Sequence, residues 1–274
     1  MTTPALTSYV ESLPDSGTFS IWAGPVEGPA TLAHDSDRPH YAASTMKLAL
    51  VIAAYRLADS RTLDLDSTVT VHNSFASAVG GAGFQMDREE DSDPQTWQRM
   101  GTEVALRWLA NRALVRSGNL ATNLLLDVVG LEEVALTLAD LGADSSSVTR
   151  GIEDAPARDA GRENLVTATD LARTLGALVT ERAASPRACR EILATLAAQQ
   201  INDAIPAGLP PGTKVAHKSG WVTGISHDAG LVYPPDSSPY VLVVCTTSGL
   251  AEDESLALIA GAAEASWRDR KALA

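Results

Sequence analysis

The sequence has few of the features typical of disulfide-rich, membrane-spanning or nucleic-acid-binding proteins. Its 274 residues include two cysteines, Cys189 and Cys245, far apart and without metal-ligand spacing. Cys189 falls in a helix-like stretch and Cys245 in an apolar, strand-like run, so we expect buried free thiols. No apolar run is long enough to span a bilayer. The formal net charge of −13 argues against nucleic acids and anionic membrane surfaces as partners.

Export signals and metal-binding patterns are also lacking. The first residues, MTTPALTSYVESLPDSG, contain neither a basic segment nor an apolar segment of the kind that begins an exported chain. We therefore expect a cytoplasmic protein, or an exported one if the native start lies upstream of Met1. The histidines show no ligand spacing, so we expect no metal and no organic cofactor. Lysine is scarce, with four against 17 arginines, which makes the position of each lysine informative.

Strand-like segments lie at both ends of the chain, and helix-like segments fill the middle. Alternating or continuous apolar runs predict strands at Thr18–Ala23, Ala30–Ala33, Lys214–Ser219, Ser226–Tyr233 and Tyr240–Thr247. Apolar periodicity and capping residues predict helices at Ser44–Arg56, Thr102–Val115, Leu120–Val129, Glu132–Leu141, Ala168–Thr180, Ser185–Ala198 and Glu254–Lys271. Asn73–Met100 is expected to be a long loop, functional or mobile, and Arg150–Val166 a surface loop.

This order of elements predicts an α+β fold. Strands from both termini would form one mainly antiparallel sheet flanked by helices, with an all-helical subdomain inserted between them. The predicted sheet domain comprises residues 1–56 and 184–274, and the predicted helical domain comprises residues 57–183. We expect the active site at their junction.

The run Ser44-Thr45-Met46-Lys47 opens an apolar helix. Residues three apart share a helix face, so the Ser44 hydroxyl and the Lys47 amine could meet. Serine becomes nucleophilic when a neighbouring base takes its proton, and burial lowers the pKa of lysine enough for it to be that base. The alternative is a capping serine followed by a lysine whose ammonium group reaches solvent.

Two later motifs could complete such a site. In Ser117-Gly118-Asn119, between two predicted helices, the serine could pass a proton to a leaving group and the asparagine could bind an amide; the alternative is a plain turn. In Lys218-Ser219-Gly220-Trp221, the lysine offers positive charge, the serine a hydroxyl for a carboxylate, and Gly220 room for substrate against the strand. The alternative there is a strand end with a glycine bulge.

The order S-x-x-K, S-x-N, K-[ST]-G is a signature of class A β-lactamases and penicillin-binding proteins. The sequence resembles the class A β-lactamase family, most closely its actinobacterial serine hydrolase members, over roughly residues 15–270. The stretches RSGNLATNLLLDVVG and HKSGWVTGISHDAGLVYPP carry the likeness beyond the three triplets. The resemblance implies a β-lactamase/transpeptidase-like fold.

The resemblance also implies a role for each motif residue. Ser44 would be the acylated nucleophile and Lys47 its proton acceptor, while Ser117 would relay a proton to the departing lactam nitrogen. The backbone N–H groups of Ser44 and Trp221 would form the oxyanion hole. Lys218 would line the site as a further catalytic residue. The remaining residues would bind substrate: Asn119, Ser219, Gly220, Trp221 and His227. Of these, Ser219 would meet the substrate carboxylate with help from His227, which is otherwise an ordinary strand residue.

The sequence departs from the family in two places. The family hydrolyses its acyl-enzyme with a Glu in an E-x-x-L-N pattern, but the corresponding loop here reads RGIEDAPARDAGRENLVTATDLA. Glu153 falls near the right position without the Leu-Asn partner, so Asp154 or another acid is the alternative, and Glu153 would then be a solvated carboxylate. Gly118 stands where the family has a chiefly structural Asp, which predicts a less rigid turn.

Three functions follow from these residues. The first is a monomeric serine β-lactamase that opens β-lactam amide bonds through acyl-Ser44, with a role in antibiotic resistance or β-lactam catabolism. The second is a cytoplasmic esterase or peptidase that uses the same site on another acyl substrate. The third is a non-catalytic binding domain that keeps the fold, which the two scarce lysines within motifs argue against.

Overall fold

Strands from the two ends of the chain pair in one sheet in the computed structural model, which describes residues 2–274. The strands are β1 (Thr18–Pro25), β2 (Leu32–His34), β3 (His40–Tyr41), β4 (Thr68–Thr70), β5 (Glu103–Ala105), β6 (Leu165–Val166), β7 (Lys214–Val222), β8 (Ile225–Tyr233) and β9 (Tyr240–Thr247). The main sheet has the order β2-β1-β9-β8-β7 and is antiparallel throughout. The predicted α+β fold with a sheet from both chain ends is confirmed.

The helices lie on both faces of this sheet and in a cluster beside it. They are α1 (Pro4–Glu11), α2 (Lys47–Asp59), α3 (Pro94–Trp97), α4 (Leu106–Val115), α5 (Asn119–Val129), α6 (Leu131–Asp140), α7 (Ala155–Asp159), α8 (Ala168–Val179), α9 (Pro186–Ala197), α10 (Glu252–Arg268) and α11 (Arg270–Leu273). None of the helices in residues 2–274 combines the length and apolar character needed to cross a membrane.

Both faces of the sheet are buried, which explains the continuous apolar run of β9. Successive strand residues point to opposite faces. Val241, Val243 and Cys245 therefore join the core that contains α2, α8 and α9, whereas Leu242 and Val244 join the core under α1 and α10. Both cysteines are buried and free, as expected.

The apolar helix α2 connects the sheet to the helical cluster. Residues 48–55 are all buried, and the helix contacts α4, α5, α6 and α9. A helix that is apolar on every side needs neighbours on every side, and this packing supplies them. The helix α8, inside the predicted helical domain, contacts β1, β8 and β9 of the sheet.

Several predicted elements differ from the structure. The segment predicted as one helix from Thr102 begins as the strand β5, which pairs with β4 in an exposed–buried alternation, before α4 starts. The strand predicted at Ala30–Ala33 is observed slightly later in the chain, as β2. Thr31 precedes it and donates its N–H to the Ala23 carbonyl of β1. The segment 150–166 is not a simple surface loop, because it contains α7 and β6 and buries Arg150, Asp154 and Asn164.

Candidate active site

An open cavity of about 890 Å³ lies where the main sheet, α5 and the segment 150–166 meet. Residues from all three predicted motifs and from the loop line it, among them Ser44, Ser117, Asn119, Glu153 and Trp221. The other motif side chains stand behind this wall and are almost fully buried: Lys47, Lys218 and Ser219. The structure thus brings together segments up to 177 residues apart in the sequence, counted from Ser44 to Trp221.

Ser44 lies in a single 3-10 turn, Ala43–Met46, that leads directly into α2. Strand β7 runs close against this turn at Gly220. A Cβ atom at Gly220 would lie 2.8 Å from the Ser44 nitrogen and 2.9 Å from the Thr45 nitrogen. Only glycine allows this approach, which brings the backbone N–H of Ser44 beside the strand that carries Trp221. The oxyanion hole formed by the N–H groups of Ser44 and Trp221 stays a prediction, and this close approach is the observation that favours it.

Lys47 is buried completely and bonded to the second motif. Its ammonium group donates to the Ser117 carbonyl oxygen (2.5 Å), to Asn119 Oδ1 (2.7 Å) and, at 3.4 Å, to Ser117 Oγ. Burial and the nearby Lys218 ammonium group hold the pKa of Lys47 well below its usual value. Lys47 is therefore suited to accept a proton. Its bonds go to the Ser117 turn rather than to Ser44 Oγ.

The Ser117 hydroxyl lies between the two buried lysines. Lys218 Nζ donates to Ser117 Oγ at 3.0 Å and to its neighbour's carbonyl, Ser219 O, at 2.5 Å. Burial lowers the pKa of Lys218 to about 7. The Ser219 hydroxyl is buried and has no hydrogen-bond partner within residues 2–274, so it has a donor to offer an incoming acceptor.

Three residues of the site have left-handed backbone conformations. The φ angles of Ala43, Ser117 and Glu153 are 44°, 55° and 63°. A non-glycine residue at such a φ is strained by about 1 kcal/mol or more and persists only where its surroundings impose it. Six non-glycine residues of the described chain, 2–274, have a positive φ, and these three of them lie in or next to the cavity lining. This clustering indicates side chains held in set directions.

Glu153 is an acid of the segment 150–166 that lines the cavity. Its Oε2 accepts the backbone N–H of Asp87 at 2.7 Å, while Oε1 is buried and has no partner within the described chain. Burial raises the pKa of Glu153 above its usual value. An unpaired carboxylate oxygen in the cavity that Ser44 also lines could bind a water molecule and take its proton.

Asp154, the alternative acid, has a structural role instead. Its carboxylate is fully buried and accepts from the Ser77 hydroxyl, the Ala78 N–H and, as the N-cap of α7, the Ala157 N–H. These three donors occupy both oxygens. Both acids line the cavity, but only Glu153 has a carboxylate oxygen without a partner in the described chain.

Asn123 holds the Glu153 loop in place, a role that the sequence motifs did not reveal. Its Oδ1 accepts the N–H of Ile152 at 2.8 Å, and its Nδ2 donates to the carbonyl of Ile152 at 2.9 Å. A side-chain amide that pairs with both backbone groups of the residue before Glu153 fixes that backbone. A polar residue in the apolar run NLATNLLL was the available signal.

The structure favours the alternative given for His227, that it is an ordinary strand residue. The ring is 1% exposed and lies outside the cavity lining. Nε2 is 2.8 Å from the Tyr41 carbonyl, and Nδ1 accepts the Thr246 N–H at 3.1 Å. Burial lowers the pKa of His227, so the imidazole is neutral and has a structural role. Sequence position placed His227 on the correct strand but could not reveal these backbone partners.

His40 packs edge-on against His227 and is expected to make stability depend on pH. Burial, followed by His227 and Arg38, lowers the pKa of His40 to about 4. The unfolded chain binds the proton near its ordinary pKa of about 6.5. The contribution of His40 to the free energy of unfolding is therefore fully present above that value. It decreases as the pH drops toward 4, by about 2 kcal/mol between pH 7 and 5.

Urea unfolding at these two pH values measures this loss. The comparison is His40→Asn, which keeps a polar side chain between Ser20 and Thr247, the two hydroxyl partners of His40. The variant is expected to lose less stability than the wild type on acidification. An equal loss in both proteins would contradict the assignment to His40.

Comparisons with known proteins agree with this geometry. A family model described as "Beta-lactamase enzyme family" matches residues 5–269. A β-lactamase of Streptomyces albus G is 27% identical over 220 residues, which are 79% of this chain and 68% of that protein. A β-lactamase of Streptomyces lavendulae is 28% identical over 154 residues, 55% of this chain, and the match spans only 50% of that relative's length.

A solved structure extends the similarity over the whole fold. The β-lactamase from Sphaerobacter thermophilus DSM 20745 has a TM-score of 0.84 and 28% identity, with 100% of both chains covered. The family match and the shared fold confirm the resemblance drawn from the three motifs. The chain belongs to the β-lactamase enzyme family.

Proposed function

We propose that this protein is a serine β-lactamase that opens the amide bond of a β-lactam through an acyl-Ser44 intermediate. One observation carries the proposal: the Ser117 hydroxyl is held by two buried lysines in the cavity that Ser44 and the unpaired oxygen of Glu153 line. This set contains a nucleophile, a proton relay and a hydrolytic base.

Acylation uses the residues of the three motifs. Ser44 Oγ attacks the lactam carbonyl carbon, and the C–O bond forms while Lys47 takes the hydroxyl proton. The N–H groups of Ser44 and Trp221 stabilise the oxyanion. The C–N bond then breaks as the proton passes from Lys47 through Ser117 Oγ to the lactam nitrogen. The distance of 3.4 Å between Lys47 Nζ and Ser117 Oγ is expected to shorten when substrate is bound.

Deacylation depends on Glu153. A water molecule bonded to Oε1 attacks the acyl carbon, and Glu153 takes a proton from it. The ester bond to Ser44 breaks, and the proton returns to Ser44 Oγ. Lys218 and the free hydroxyl of Ser219 hold the substrate carboxylate, with Lys218 in its charged form supplying the positive field.

A time course of intact mass with benzylpenicillin tests this proposal. The protein is expected to show a transient adduct of the penicillin mass, mapped to the peptide that contains Ser44, together with opened penicillin in solution. A lasting adduct without product would contradict the hydrolase step. No adduct, with faster turnover of p-nitrophenyl acetate than of any lactam, would favour an esterase.

A further inference from the structure

The turn that carries Ser117 and Asn119 is held by a carboxylate from a distant segment. Asp91 Oδ1 accepts the N–H of Asn119 at 2.9 Å, and Oδ2 accepts the N–H of Leu120, also at 2.9 Å. These are the first two backbone N–H groups of α5, which have no partner inside the helix. Oδ1 also accepts the Asp93 N–H, and Oδ2 the indole N–H of Trp97. Each carboxylate oxygen thus serves two donors.

The turn has no room for a carboxylate of its own. A Cβ atom at Gly118 would lie 2.9 Å from Asp93 Cβ and 3.1 Å from Asp93 Oδ2. Asp93 is fully buried, where it pairs with Arg112 and accepts from the Thr96 hydroxyl. The segment 91–97 therefore fills the space beside Gly118 and anchors the motif from outside.

Asp91 also contributes to the electrostatics of both candidate proton acceptors. Its negative charge raises the pKa of Lys47, opposing the larger effects of burial and Lys218; Asp93 and Glu153 act in the same direction as Asp91. Burial chiefly raises the pKa of Glu153, and Asp91 adds to that effect. The other carboxylates that face Glu153 are Asp87 and Glu90.

We propose that Asp91 is a positioning residue of this active site: it holds Ser117 and Asn119 against Lys47 and acts on the reaction through them. The inference rests on the proposed function for its kinetic part. It extends the site to a segment, 91–97, that belongs to none of the three motifs.

The test is Asp91→Asn, which keeps the shape of the side chain. An amide cannot accept from four donors, because its NH2 group would face two of them. The rate constant of acylation by benzylpenicillin, read from the mass adduct, is expected to fall about 10- to 100-fold. The acidic limb of the pH profile of acylation is expected to move to lower pH, because Lys47, which takes the Ser44 proton, loses a negative neighbour. A merely structural role would not move the limb.

Two further variants complete the experiment. Asp59→Asn is the matched control, because Asp59 also accepts a backbone N–H at a helix start, from Ser185, far from the cavity; it is expected to acylate at the wild-type rate. Trp97→Phe keeps the charge and removes one donor, so a rate loss of about threefold with an unmoved limb is expected. If Asp91→Asn folds poorly, the acylation rate and the amide exchange of Trp97→Phe test the hydrogen-bonding part of the proposal, and a wild-type result in both would overturn it.

Amide hydrogen exchange of residues 117–121 needs no substrate and separates the two proposals. Faster exchange is expected in Asp91→Asn and not in Asp59→Asn. If the wild type forms no penicillin adduct, the proposed function fails while the exchange result still decides the positioning role. Wild-type exchange and an unchanged acylation profile in Asp91→Asn would overturn the inference.

Discussion

The variant Glu153→Gln is expected to remain acylated where the wild type turns over. Glu153 Oε1 is the buried carboxylate oxygen without a partner, and Oε2 is held by the Asp87 N–H. In the variant, the amide oxygen keeps the bond to Asp87 and the NH2 group faces the cavity, where it cannot accept a proton. Loss of a general base typically slows a step by about 10²- to 10⁴-fold. Intact mass after a brief exposure to benzylpenicillin would show a persistent adduct.

The matched control is Glu163→Gln, which removes a carboxylate at an exposed position of the same cavity lining. It is expected to leave the lifetime of the adduct unchanged. The raised pKa of Glu153 has a further consequence, because this base must be ionised. Deacylation by the wild type should therefore decline at a higher pH than an ordinary glutamate would cause. Equal adduct lifetimes in Glu153→Gln and wild type would assign the step to another group.

Ser44→Ala is expected to abolish both the adduct and the turnover of a chromogenic cephalosporin. The side chain is short, so its removal leaves the 3-10 turn and the close approach of Gly220 in place. Removing the nucleophile of a serine hydrolase costs about 10⁶-fold in rate, and a residual 10³- to 10⁴-fold over water comes from the oxyanion hole and binding. The variant should still bind lactam without reacting, which ligand-induced thermal stabilisation would detect.

Ser60→Ala serves as its control, since Ser60 caps the opposite end of the same helix, α2. It is expected to turn over substrate at the wild-type rate. An adduct that persists in Ser44→Ala would identify a different nucleophile, and peptide mapping would name it.

The fold and the three motif triplets could be predicted from the sequence because both are encoded locally. The apolar runs of α2 and β9 are continuous, since each element is covered on all sides, and such runs are legible without a structure. The triplet spacing places Lys47 one helical turn after Ser44. That the three motifs meet in one site was inferred from the family resemblance. Spacing in the sequence does not show by itself that β7 runs past Ser44 at Gly220.

The residues that sequence reasoning left undecided or missed depend on distant partners. Glu153 and Asp154 are adjacent acids that both line the cavity, and donors from Ser77 and Ala78, more than 70 positions away, occupy the Asp154 carboxylate. His227 is held by the carbonyl of Tyr41, 186 positions away. Asp91 bonds to Asn119 across 28 positions from a segment without periodicity. No local pattern records such contacts.

The crowding around Gly118 constrains the order in which this active site can change over generations. A substitution to Asp at this position, which would restore the family's usual triplet, places its first carbon against Asp93. Asp93 would have to be replaced first, and that leaves the guanidinium of Arg112 buried without its partner, at a cost of about 3–5 kcal/mol. Each of these two steps alone is therefore expected to be harmful. The lineage is expected to keep glycine at position 118 as long as Asp93 and Arg112 remain paired.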